Sequence, residues 1–409
     1  MVISGDTQGW IVPCGCTSNQ SGGLLRRGDY LRQLRAGHDV LYLDAGGAAA
    51  GNSPYQAEKL KAIFAGEVAM GIAAHNLGGS EIALGSQCLR DLAAATHVPL
   101  LSVNAHPDAG PPLAPPMRIF SVNGRRLGVV GVVSPRYAAA DISVDDPQKA
   151  ILAATQAFAG RFDSLLVLAY LPDDELEQLA QSLPEADVIV GGPTVQSIVP
   201  RRVGMTLLAS ATNKGKFLVR LDPPDVPAGQ WSGEIVELGP AFNDDPVQAA
   251  NLARYLDDLR RRDFSAAESG FAPALPVGMP ADYRVAGNAA CAACHHQAEI
   301  IWVHSLHAQA GPALAARHFD FDPDCLRCHT TGYGLPGGFI SPNRTPHLFG
   351  VGCEDCHGPS EAHAADPSIH TAYAASDQCT RCHDEENSPK FNSAVYWQKI
   401  KHGRARASQ

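Results

Sequence analysis

Through the first 240 residues, short apolar runs alternate with stretches of helical period. The runs are VIS near Val2, DVLYLDA ending at Asp44, VPLLSVN ending at Asn104, RLGVVGVV near Val130, SLLVLAY ending at Tyr170 and DVIVGG ending at Gly192. Continuous apolar runs closed by Gly, Asp or Asn predict strands buried on both faces. Between them, Leu24–Leu34, Gln56–Ala74, Pro147–Phe158 and Asp174–Leu183 carry the helical period. Strand and helix in repeated alternation predict an α/β sandwich. TLLAS, KFLVRLD and GEIVEL close this part as strands, and an amphipathic helix follows over 245–262. Ser265 to Asn288 is rich in Ala, Pro and Gly and has no period, which marks a linker. The expected division is residues 1–264, a linker over 265–288, and a small, mainly helical and loop-rich domain over 289–409.

Composition narrows the class. The chain has 409 residues, a net charge of -10 and 18% charged residues, without a basic face, which argues against nucleic acid as a partner. No apolar run is long enough to span a bilayer.

The last third carries the chemistry. C-x-x-C-H occurs four times, as Cys291/Cys294/His295, Cys325/Cys328/His329, Cys353/Cys356/His357 and Cys379/Cys382/His383. This is the attachment signal of c-type haem. Two thiols two residues apart each form a thioether to a haem vinyl, and the next imidazole ligates the iron. Four copies predict four covalently bound haem c groups, with the porphyrins standing in for the large apolar side chains that this segment lacks. Covalent attachment takes place outside the cytoplasm, so an exported protein, periplasmic or extracellular, is expected. Yet the chain opens on a strand-like MVISGD with no signal-peptide pattern. A removed signal or a late gene start would account for that.

Twelve of the sixteen histidines follow residue 290, and the last methionine is Met279. Six-coordinate haems should therefore be bis-His, at lower potential than His/Met haems. WVHSLHAQA, CHTTGYGLPGGF, VGCEDCHGPSEAH, CTRCHDEENSP and YWQKIKH resemble the tetrahaem family of the cytochrome that accepts electrons from hydroxylamine oxidoreductase. That resemblance covers about residues 289–403. It implies close haem pairs and ligands that cross between motifs: His307 for the third haem, His363 for the first and His402 for the fourth. For the second haem, on His329, the candidates are His347, favoured, then His318 and His370, with an open site as the alternative. His296 and His304 read as surface residues, and Tyr333, Phe339 and Trp397 as packing on porphyrin edges.

The N-terminal series GDTQG at Gly5, GGLLRR at Gly22, LDAGG at Asp44, LGGSE at Gly78 and VIVGGP at Val188 resembles the metallophosphoesterase superfamily, in particular 5′-nucleotidase catalytic domains and thiosulfohydrolases. Those enzymes hold two metals on D-x-H, G-D, G-N-H and G-H-x-H at strand ends. Here the matching positions read Asp6 and Gln8, Gly46-Gly47, Gly78-Gly79-Ser80, and Gly192-Pro193-Thr194-Val195, and an upstream His position reads Tyr170. A two-metal centre needs several carboxylate and imidazole ligands. Only Asp6 remains, so a pseudoenzyme without phosphatase activity is expected.

In the first strand-to-helix loop stands Cys14-Gly15-Cys16, where such folds bind ligands. A structural disulfide, with Cys88 as a candidate partner, a metal- or sulfur-binding pair and a redox-active pair all fit. His38, His75, His97 and His106 read as surface or core residues, and Asp44 as a strand end. Together these observations imply electron transfer to and from redox partner proteins, with the α/β domain a docking or sensing module. The competing implication is an oxidoreductase acting on a small nitrogen or sulfur compound at an open haem or at Cys14/Cys16.

Overall fold

A computed structural model describes residues 1–13, 20–139, 141–194, 196–224, 229–273, 282–371 and 375–402. The chain divides into two compact units, with the boundary at Arg254 inside a helix.

The first unit carries strands β1 (Val2–Ser4), β2 (Tyr42–Asp44), β3 (Ile72–Asn76), β4 (Leu100–Leu101), β5 (Ala105–Pro107), β6 (Met117–Val122), β7 (Arg125–Val133), β8 (Ile142–Val144), β9 (Ser164–Tyr170), β10 (Val188–Gly192), β11 (Ile198–Val203), β12 (Thr206–Ser210), β13 (Phe217–Asp222) and β14 (Ser232–Glu237). They form two six-stranded mixed sheets, in the orders β14-β13-β1-β2-β3-β4 and β11-β12-β10-β9-β7-β6, and a small β5-β8 ribbon. Helices α1 (Leu24–Arg35), α2 (Pro54–Ala69), α3 (Gly79–Ile82), α4 (Ser86–Thr96), α5 (Pro147–Ala157) and α6 (Asp173–Ser182) connect them, and α7 (Pro246–Arg262) follows.

Alternation along the strands explains why both faces of the second sheet are apolar. In β7, Leu127 and Val129 point into the core between the sheets, with Ile3, Leu43, Leu166, Leu168, Val188 and Val190. Val130 and Val132 point the other way, into a core with Ile151 of α5 and Leu176 and Leu179 of α6. A period of two thus serves two cores at once.

The helix expected over Gln56–Ala74 stops at Ala69, and Ile72–Asn76 is a buried parallel strand between β2 and β4. Met70 and Gly71, the latter at φ +71°, make the turn between them. A helix of small residues followed by IAAHN offers no β-branched run to announce the switch. β6, MRIFSV, paired with β7, is interrupted by Arg118 and Ser121 and likewise does not read as a continuous apolar run.

The second unit is built from short helices: α8 (Ala266–Ser269), α9 (Asn288–Ala292), α10 (His296–Val303), α11 (Ala310–Ala315), α12 (Pro323–His329), α13 (Cys353–His357), α14 (Glu361–Ala365) and α15 (Ser393–Ile400). It owns a small apolar core of Val285, Leu314, Leu326, Tyr333, Phe339 and Leu348. Tyr333 and Phe339, expected on porphyrin edges, are both buried in this core. The segment expected as linker holds α8, opened by a Ser265–Glu268 capping box.

Candidate functional site

Each C-x-x-C-H sits on one turn of helix: α9 and the residues after it, α12, α13, and a 3-10 turn over Ala375–Arg381. Helical winding puts residues three apart on one face, so the two thiols of a motif point the same way. The Cys291 and Cys353 side chains lie beside each other, as do those of Cys328 and Cys382. The first motif therefore lies beside the third and the second beside the fourth, and α13 also packs on the turn of the fourth.

Three motif histidines each face a second imidazole. Ring centres are 6.2 Å apart for His295 and His363, 5.8 Å for His357 and His402, and 6.2 Å for His383 and His307. Two imidazoles sharing one metal ion, with metal–nitrogen bonds of about 2 Å, hold their ring centres roughly 6 Å apart. The donor set and spacing therefore fit a bis-His iron at three motifs. Two partners differ from expectation: His307 faces the fourth motif rather than the third, and His402 the third rather than the fourth. Sequence spacing cannot tell these apart, because α13 and the fourth-motif turn are neighbours.

Ring orientation supports the same fit. Nδ1 lies 3.0 Å from the Ala310 carbonyl in His329, 2.7 Å from the Ile369 carbonyl in His363, 3.0 Å from the Ile400 carbonyl in His402 and 3.1 Å from the Ser388 hydroxyl in His383. A hydrogen bond at Nδ1 fixes the tautomer and leaves Nε2 as the free ligand atom. His347 is exposed on the 3-10 turn Pro346–Leu348, with Cδ2 3.8 Å from the place of a Cβ on Gly287. His318 is exposed at φ +65°, and the His370 ring centre lies 6.3 Å from that of His363. Cys14, Cys16 and Val195 lie outside the described residues; Cys88 is half-buried on α4.

In the first unit the strand ends that would hold two metals are occupied otherwise. Asp6 is buried, and its carboxylate accepts from Thr212 Oγ1 at 2.5 Å, Asn213 N at 3.3 Å and Gln8 Nε2 at 2.9 Å. Glu81 accepts from Gly47 N at 3.2 Å, Ala48 N at 2.5 Å, Gly78 N at 3.0 Å and Ser80 Oγ at 3.1 Å. One carboxylate thus ties together the loops after β2 and β3. A Cβ on Gly47 would stand under 3.0 Å from the Tyr170 ring, and one on Gly79 under 3.0 Å from the Tyr137 ring. The residues present do not fit a two-metal centre.

Sequence reasoning missed a cluster beneath those loops. Arg27, Tyr42, Asp44, Glu67, His75 and Glu81 are all fully buried. Asp44, Glu67 and His75 offer ligand atoms within 4.8 Å of one another. The Arg27 guanidinium already supplies a cation there, with Nη1 3.6 Å from Glu67 and 3.9 Å from Asp44. Burial pushes the Glu67 carboxyl up to about 7. Burial also opposes charge on His75, but Glu67 and Asp44 outweigh it and hold the imidazole protonated well above its ordinary value. Glu81 is drawn down despite burial, by His75 and the Ala48 N–H. Two cations against two carboxylates and a partly protonated third make a nearly neutral cluster, the condition for keeping charge in a core. Arg27 and Glu67 fall in helices of ordinary pattern, so no sequence signal marks them.

Residues 290–358 match the family described as cytochrome c554 and c-prime, a span that holds the first three motifs. Cytochrome c-554 of Nitrosomonas europaea is 33% identical over 96 residues, which are 20% of this chain and 41% of that protein. The chain thus spans less than half the length of this curated relative. Among solved structures, a 5′-nucleotidase precursor of Thermus thermophilus shares 22% identity at a TM-score of 0.56, covering 64% of this chain and 58% of that one. The sulfate thiohydrolase SoxB of Thermus thermophilus, solved with glycerol, shares 21% identity at a TM-score of 0.52, over 60% of this chain and 48% of that one. At this identity the likeness shows fold alone. The C-terminal part therefore resembles the cytochrome c554 and c-prime family, which implies haem c, and the N-terminal part has the fold of 5′-nucleotidases and related phosphoesterases.

Proposed function

We propose that this protein is an exported, periplasmic multihaem cytochrome that passes electrons between redox partner proteins through four haem c groups. The observation that carries the reading is the set of three imidazole pairs, each joining a C-x-x-C-H histidine to a histidine of another segment at 5.8–6.2 Å. Bound haem supplies an iron that gains and loses one electron. The chain's own residues do the rest. Cys291, Cys294, Cys325, Cys328, Cys353, Cys356, Cys379 and Cys382 anchor the porphyrins. His295, His329, His357 and His383 are the proximal ligands, and His363, His402 and His307 close three of the sites. Contacts between the first and third motifs, the third and fourth, and the second and fourth support a continuous row in the order first, third, fourth, second.

The α/β unit acts as a non-catalytic docking or sensing module, because side chains of this chain fill the places of the metal ligands. Among the described residues no helix is long and apolar enough to cross a membrane. His347 remains the proposed sixth ligand at His329. Its placement beside Gly287 favours a second reading, in which that haem is open and takes a small nitrogen or sulfur ligand. Carbon monoxide added to the reduced protein separates the two. An unshifted spectrum supports the carrier, and a shift of one haem supports the open site. A mature sample whose mass lacks four haems overturns the whole proposal.

A further inference from the structure

The helix of the first motif and the helix of the third are held at their N-termini by each other's side chains. Glu354, in the C-x-x-C of the third motif, is 4% exposed. Its Oε1 accepts from Ala286 N at 2.9 Å and Ser360 N at 2.7 Å, and its Oε2 accepts from Gly287 N at 2.7 Å. Gly287 is the residue that opens α9. In return, Asn288, the first residue of α9, accepts from Cys353 N, the first of α13, through Oδ1 at 2.9 Å. Between the two helices, which pack on each other, the Cys291 and Cys353 thiols lie side by side.

Haem attachment uses only the two cysteines and the histidine, so the residues between the cysteines are chemically free. A carboxylate buried there is costly unless its oxygens are filled, and here three backbone N–H groups fill them. All three lie outside its own helix, in the segment leading into α9 and just after α13.

We propose that Glu354 and Asn288 are positioning residues that fix the first haem against the third and so set how strongly the two interact. This rests on the reading that both motifs carry haem.

The test uses the full, matured chain. Glu354→Gln keeps the shape but turns one acceptor oxygen into an N–H donor facing backbone donors. Asn288→Ala removes the return bond. Haem number is read by intact mass. Interaction is read by the Soret circular-dichroism couplet of neighbouring porphyrins and by the separation of midpoint potentials. Both variants are expected to keep the wild-type mass, apart from the substitution, while the couplet loses amplitude and the potentials shift. Glu361→Gln, exposed beside Arg284, is expected to change neither. Couplet and potentials equal to wild type overturn the proposal, as does loss of haem from all motifs together in Asn288→Ala, which marks a general folding role. If Glu354→Gln does not mature, Asn288→Ala decides alone. A wild-type mass without four haems is the separate failure of the underlying reading, visible before any variant is made.

Discussion

His75 Nδ1 lies 2.8 Å from Glu67 Oε2, and neither side chain reaches solvent. Both groups hold protons more tightly folded than unfolded, so both contributions to stability fall as pH rises. For Glu67 the contribution is complete below its ordinary 4.5 and is lost through about 7. For His75 it is complete below 6.5 and is lost only as pH climbs through its raised folded value. Glu81, drawn below 4.5, works the other way and loses its contribution in acid. Urea midpoints of the full chain should therefore fall from about pH 5 to pH 8. Glu67→Gln, neutral at every pH, should remove the part lost through about 7 and shrink the part that belongs to His75, whose raised value Glu67 and Asp44 together sustain. A profile that rises across this range would refute the assignment.

Arg27 stands between Asp44 and Glu67 with no solvent exposure. Arg27→Met keeps the bulk and removes the charge. The carboxylates then face a single cation, and breaking one partner out of a buried set costs about 3–5 kcal/mol. Chemical denaturation should read a loss of that size. A loss below about 1 kcal/mol, as for an exposed pair, would mean the cluster is hydrated.

How much was legible follows from which interactions are local. Strand ends are local, so Asp6, Gly47, Gly78, Tyr170 and Gly192 could be placed by order alone, and each does end a parallel strand or open the loop after it. C-x-x-C-H is complete within five residues. The crossing histidines are not local: His307 precedes its partner His383 by 76 residues, the difference of their numbers. Spacing could say that His307 and His402 cross, but not to which motif. The cluster of Arg27, Asp44, Glu67 and His75 draws one residue from each of four successive elements, and nothing in any one of them points to the others.

Gly47 should tolerate no side chain. Its φ is +82°, and its Cβ position is taken by the Tyr170 ring. Left-handed backbone costs a non-glycine residue roughly 1–3 kcal/mol before the clash is counted. Gly47→Ala should lower the melting temperature measurably. Gly47→Asp, which restores the carboxylate of the related enzymes, should do the same without recovering manganese binding by calorimetry. Metal-dependent nucleotide hydrolysis by the native chain would remove the non-catalytic reading outright.

The exchange of His307 and His402 can be decided by epistasis. If His307 ligates the iron on His383, then His307→Ala should turn one haem high-spin in the electron paramagnetic resonance spectrum. The same substitution should add no high-spin signal in a Cys379→Ser/Cys382→Ser background, where the fourth haem cannot be attached. His402→Ala should still add one there, because its ring faces His357 at 5.8 Å. If the two histidines instead follow the order expected from spacing, the outcomes reverse. His307→Ala would then remain visible without the fourth haem, and His402→Ala would fall silent.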